Sequence, residues 1–111
     1  MTNECTSAQL VEALKEPNVV HVVLLYGKTC GPCVRTKPNY EMVENFFSKL
    51  RPEVKFHQID VWSEDGKPFK EHTAYESVPT YVIYNNGMEI ARDKGYKETL
   101  QIKDFVFKSL E

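Results

Sequence analysis

Cys30 and Cys33 are separated by Gly31 and Pro32 and stand between an apolar, β-branched run from Val19 to Tyr26 and a segment of helical periodicity. Two thiols at this spacing serve either a reversible dithiol–disulfide couple or half of a metal site. A structural zinc takes four Cys or His ligands, and beyond this pair the nearest supply is one His57 and a distant Cys5. Redox chemistry is the better-supplied reading. Only a thiolate attacks a disulfide, and an ordinary cysteine of pKa about 8.5 is mostly protonated near neutrality. A helix start corrects this, because its unpaired N–H groups and the positive end of its dipole favour an anion. Cys30, at that first turn, is the expected nucleophile, and Cys33, one turn inward, the expected resolving thiol. Gly31 admits close backbone approach, and Pro32 has no N–H to lose in a first helical turn.

The elements that must hold this pair follow from periodicity. Thr6 and Gln9 have the spacing of a capping box, Leu10, Val11 and Leu14 form an apolar stripe after it, and Pro17 closes this first helix. The Val19–Tyr26 run reads as a strand covered on both faces. Beyond the cysteines, Val43, Phe46, Phe47 and Leu50 mark the expected buried stripe of a longer helix, kinked early by Pro38 and ended at Arg51-Pro52. Val54 to Val61 reads as a further strand, and Asp65 to Tyr75 as a short helix with Pro68 near its start. Tyr81 to Arg92 is a hairpin turning at Asn85-Asn86-Gly87, since Asn-Gly supplies positive φ angles readily. Ile102, Phe105, Val106 and Leu110 mark a closing amphipathic helix with Thr99 as its expected cap. The order αβαβαββα implies an α/β fold, a mixed sheet with helices on both faces, and residues 1–111 as one domain.

Composition narrows the class of function. Of 111 residues, 41% are hydrophobic and 27% charged, and the formal charge of −2 gives no electrostatic case for nucleic acid or anionic lipid. No apolar run approaches the ~20 residues of a membrane span, and Met1-Thr2-Asn3-Glu4 lacks the order of a signal peptide. A cytoplasmic location is expected. There a close cysteine pair serves chemistry more often than it staples a fold.

Taken together, Cys30-Gly31-Pro32-Cys33 after a buried strand, Pro38 five residues further on, Asp60 ending the next strand, Val78-Pro79-Thr80 opening the hairpin and Gly95 after it resemble thioredoxin. The resemblance covers residue 8 or so to the end, with the first strand of full-length members not evident. It implies a thioredoxin-like fold and thiol–disulfide exchange on protein disulfides without a cofactor or metal. A flavoprotein thioredoxin reductase or a glutathione system would regenerate the dithiol, and the protein would act as a monomer. It also implies a cis bond before Pro79, presenting the Val78 backbone toward Cys30 so that a substrate segment can pair as an added strand, with Thr29 and Gly95 bordering the same groove. Two readings stand beside it: a binding subunit that holds a partner through the groove, and a disulfide oxidase or isomerase.

The chain also departs from that family's pattern. The family's buried aspartate, six residues before the first cysteine, is Leu24 here, and its partner lysine is Phe56. Leu24 is expected beneath Cys33 with Phe56 beside it. Replacing both polar members together avoids an unpaired buried charge. Trp62 follows a strand and is not the counterpart of the family's active-site tryptophan, whose position is Thr29. His21 and His72 stand where no catalytic base is expected, Tyr26, Tyr81 and Tyr84 are read as packing residues, and Cys5 as a lone thiol.

Overall fold

In a computed structural model, which describes residues 3–111, five strands and four helices follow in the order β1 (Asn3–Glu4), α1 (Ser7–Ala13), β2 (Val20–Tyr26), α2 (Gly31–Leu50), β3 (Val54–Asp60), α3 (Phe69–His72), β4 (Thr80–Asn85), β5 (Met88–Lys94) and α4 (Thr99–Ser109). The sheet runs β1-β3-β2-β4-β5, with β1, β3 and β2 mutually parallel and β4 and β5 antiparallel. This is the expected mixed sheet between helices, with one addition. A first strand does exist: Asn3 and Glu4 pair with His57 and Gln58 of β3. Two residues carry no periodicity, so only the pairing reveals them.

Local signals account for most of the elements. Thr6 caps α1 through the Gln9 N–H at 3.1 Å, and Gln9 Oε1 accepts the Thr6 N–H at 3.0 Å, the reciprocal pair the sequence called for. α1 ends at Ala13, with Leu14 as its C-cap, ahead of Pro17. β2 is buried on both faces, as its apolar run requires. Asn86 and Gly87 take φ of 53° and 79°, the left-handed pair that a two-residue hairpin loop needs. α3 is only Phe69–His72, with Pro68 as N-cap. The cap of α4 is Glu98 rather than Thr99, and the Glu98 N–H donates to Gln101 Oε1 at 2.8 Å.

Each face of the sheet buries its own cluster. Val22, Leu24 and Tyr26 of β2 point toward α2 and α4, where Tyr40, Val43, Phe47, Ile102 and Val106 meet them. Val23 and Leu25 point the other way, toward Leu10 and Leu14 of α1 and its C-cap and Phe69 of α3. The expected stripe of α2 is turned relative to the observed one. Cys33, Thr36, Tyr40, Val43 and Phe47 are buried, whereas Phe46 and Leu50 are 37% and 54% exposed. α4 meets Phe46 through Phe107, at 6.0 Å between ring centroids, and through the Lys103 ammonium 4.0 Å from the ring centroid, which leaves Phe46 and Leu50 partly open to solvent. Pro38 lies inside α2, which continues through it.

Candidate active site

β2 ends at Tyr26, and the Gly27 carbonyl accepts the Cys30 N–H at 3.0 Å, so the chain turns once and enters α2 at Gly31. Cys30 is the N-cap of that 20-residue helix, with Pro32 in the first turn and the Cys33 N–H aimed at Cys30 Sγ from 3.3 Å. An N-cap normally uses an oxygen to accept such a bond. Here sulfur takes that place, and a thiolate there gains both the hydrogen bond and the helix dipole. Cys30 and Cys33 are joined as a disulfide, with Cα atoms 5.2 Å apart. Cys30 is half-buried and Cys33 fully buried.

The hairpin delivers the opposite wall. The Val78–Pro79 bond is cis, the Val78 carbonyl oxygen lies 3.8 Å from Cys30 Sγ, and the Gly95 N–H donates to Pro79 O at 2.9 Å. Cys30, Val78, Pro79 and Gly95 therefore meet at one place. Thr29 precedes Cys30 and is exposed, as are Gly31 and Pro32. Pro38 is an exposed residue of α2 further along. Beneath the pair, Leu24 and Phe56 share the apolar cluster of Cys33. Phe56 is a diagonal rather than direct neighbour, because the register sets it against Val22 and sets Gln58 against Leu24.

Sequence reasoning did not identify a polar brace behind this wall. The Lys97 N–H donates to Thr36 Oγ1 at 3.3 Å, the Thr36 hydroxyl meets Tyr81 Oη at 2.6 Å, and the Tyr81 hydroxyl donates to Gly95 O at 2.9 Å. Burial pushes the Tyr81 phenol up to about 12, so it keeps its donor proton. Thr36 is one turn past Cys33, and no local pattern marks it as a partner of residues some sixty positions away.

The other titratable residues stand apart from the dithiol. His57, the nearest candidate metal ligand in the sequence, is on the opposite face of the sheet, where its Nε2 lies 3.0 Å from Nδ1 of His21. Burial first, then His21 and Lys55, lowers His57 to about 4. His21 is lowered as well, chiefly by burial, and its Nε2 makes no well-formed hydrogen bond although the Glu16 backbone opposes the shift. Cys5 is half-buried with Sγ 3.7 Å from Gln58 O, and burial with the Glu4 charge pushes its thiol up to about 11. Tyr26 Oη donates to Glu4, whose other oxygen pairs with Lys37 at 3.1 Å. Tyr84 bonds Thr73. No group of three or more His, Cys, Asp or Glu among the described residues is placed to hold a metal, and no described helix is long and apolar enough to cross a membrane.

A reversible dithiol at the N-terminus of a helix, facing a cis-proline loop across a mixed sheet, defines a thioredoxin-like thiol–disulfide oxidoreductase. The chain belongs to the thioredoxin family, whose sequence model matches residues 1–108. It is 30% identical to thioredoxin C-3 of Corynebacterium nephridii over 78% of this chain and 56% of that one, so it spans little more than half the length of that relative. It is 31% identical to the thioredoxin of Chlamydia pneumoniae over 69% of this chain and 70% of the other. Among solved structures, Fasciola hepatica thioredoxin superposes with a TM-score of 0.79 at 24% identity, covering 98% of this chain and 99% of that one. Plasmodium falciparum thioredoxin gives 0.80 at 24% identity over 96% and 98%. At these identities the structural likeness carries the fold alone.

Proposed function

We propose that this protein is a reductant of protein disulfides, with Cys30 as nucleophile and Cys33 as resolving thiol. The observation that carries the reading is the Cys33 N–H at 3.3 Å from Cys30 Sγ at the start of α2, which favours a thiolate on Cys30 rather than on Cys33. Cys30 thiolate attacks one sulfur of a substrate disulfide, forming a mixed disulfide and expelling the other sulfur as a thiolate that takes up a proton. Cys33 then loses its proton and attacks Cys30 Sγ, which forms the Cys30–Cys33 bond and frees the second substrate thiol. Two electrons pass from the dithiol to the substrate, and no cofactor enters.

Val78, Pro79, Gly95 and Thr29 border the groove in which an extended substrate segment lies, with the Val78 backbone as its pairing edge. Gly31 and Pro32 fix the spacing of the thiols, and Pro38 shapes the helix that carries them. We assign the work to a cytoplasmic monomer formed by residues 1–111 as one domain, regenerated by a flavoprotein reductase or a glutathione system. Insulin reduction driven by dithiothreitol tests the activity, and an equilibrium potential below about −200 mV is expected of a reductant. A higher potential would instead make the protein an oxidase or isomerase. Cys33→Ser is expected to accumulate mixed disulfides through Cys30, and Cys30→Ser to accumulate none; equal trapping by both would overturn this order of attack.

A further inference from the structure

Trp62 is the one tryptophan in the chain, and its position is unusual for a residue outside the core. It follows β3, yet its indole packs so closely on Gly27 that a Cβ there would come within 2.3 Å of a ring carbon. Gly27 is the residue whose carbonyl holds the Cys30 N–H. The ring therefore packs on the turn that leads to Cys30, three residues on from Gly27. It remains 49% exposed.

The backbone that carries this ring is held in place. The Val61 N–H donates to Tyr26 O at 2.9 Å, the Trp62 N–H to Asp60 Oδ1 at 3.0 Å, and the Ser63 N–H and hydroxyl both to Asp60 O at 3.1 and 2.7 Å. Four hydrogen bonds fix the loop on both sides of the indole. A large apolar surface that is rigid before binding loses little entropy when a partner covers it, which is the circumstance in which an aromatic contact contributes most. Gly27 is buried under the ring. Only a residue without a side chain allows the aromatic ring from the turn after β3 to approach Gly27 this closely.

We propose that Trp62 is a specificity-determining residue, forming the aromatic wall of the dithiol site on the side away from Pro79 and receiving an apolar side chain that flanks the half-cystine of a polypeptide substrate. The inference rests on the disulfide-exchange reading above and adds to it the substrate class that the site prefers. One ring face is already covered by Gly27, so the outer face supplies the contact.

The test uses the full-length protein, dithiothreitol as electron donor and insulin as substrate. Trp62→Ala is expected to raise KM about fivefold with kcat within about twofold, which is roughly the 1 kcal/mol of one aromatic contact, and Trp62→Phe to restore most of the wild-type KM. Gly27→Ala, which displaces the ring, is expected to raise KM in the wild-type background and to add nothing when Trp62 is already alanine. Because Trp62 is the sole tryptophan, its emission in Cys33→Ser is expected to shift when that variant is loaded as a mixed disulfide with a peptide carrying leucine beside its cysteine, and to shift less when glycine replaces the leucine. Wild-type turnover with an unchanged Trp62→Ala KM, or emission indifferent to the peptide, overturns this inference while leaving the disulfide-exchange reading intact. Absence of turnover by the wild-type protein removes that reading, and this inference with it.

Discussion

The two faces of strand β2 handle ionisable groups in opposite ways. On the face that carries the dithiol, Leu24, Phe56 and Cys33 share an apolar cluster, and a backbone N–H donates to the Cys30 sulfur. On the other face, His21 and His57 are buried against each other, with the Lys55–Glu16 ion pair at 3.0 Å nearby and Tyr84 opposite His21 in the register. Both histidines are held neutral by burial. The contrast separates two properties that one sheet could have mixed. The Cys30 sulfur meets a helix terminus whose field does not titrate, whereas the buried histidine pair on the other face is a source of pH-dependent stability.

The largest expected effect lies on the dithiol face. Cys30→Ser is expected to reduce insulin turnover to the level of dithiothreitol alone, since no other described thiol is paired at a helix start. Retention of turnover would place the nucleophile elsewhere, at Cys33 or Cys5, the two thiols that remain.

Leu24→Asp sharpens the comparison by bringing a carboxylate into the apolar cluster that holds Cys33. Burying an unpaired carboxylate is expected to destabilise the protein by about 3 kcal/mol in urea melts at neutral pH, and its pKa should rise to limit the cost. Adding Phe56→Lys is expected to recover part of that loss, limited by the diagonal placement of the two side chains. Stopped-flow measurement of mixed-disulfide resolution is expected to show the aspartate variant faster than the parent between about pH 6 and 8. An unchanged rate would show that deprotonation of Cys33 does not limit the reaction.

On the opposite face the effect is comparable at most. Burial sets the folded pKa of His57 near 4, below the unfolded value of about 6.5. Between those values the unfolded chain binds more protons, so the contribution is fully present above about pH 6.5 and is lost as pH falls toward 4, to a limit of about 3 kcal/mol. Urea midpoints at pH 7.5 and 4.5 are expected to differ less when His21→Val and His57→Leu are combined, which removes both members and leaves neither ring unpaired. An equal difference in both proteins would place the acid sensitivity in the carboxylates.

The smallest effect concerns Cys5. With its thiol pushed up to about 11 by burial and Glu4, it is expected to be alkylated by iodoacetamide at pH 8 far more slowly than reduced Cys30. Mass spectrometry of a timed reaction shows the order of labelling.

Much of this was legible where the cause is local. The capping box at Thr6 and Gln9, the Asn86-Gly87 turn, the doubly buried β2 and the helix start at the cysteines each follow from neighbouring residues. What escaped was fixed by partners distant in sequence. β1 exists only because β3 pairs with it, and the face of α2 is set by where α4 reaches, so Tyr40 is buried in place of Phe46. The histidine pair arises from the parallel register of β2 and β3, and the seat of Trp62 on Gly27 from the turn after β3. The Thr36, Tyr81 and Gly95 bonds join three elements that no window of sequence contains together.

Those bonds give the site a mechanical property. The rim of the groove at Gly95 is tied through Tyr81 and Thr36 to the same helix that carries both sulfurs, so a tilt of α2 moves the rim and the thiols together. The thiols and the Gly95 edge therefore move as one piece in small rocking motions of the helix, in the way that a workpiece clamped to the tool carriage stays aligned while the carriage moves.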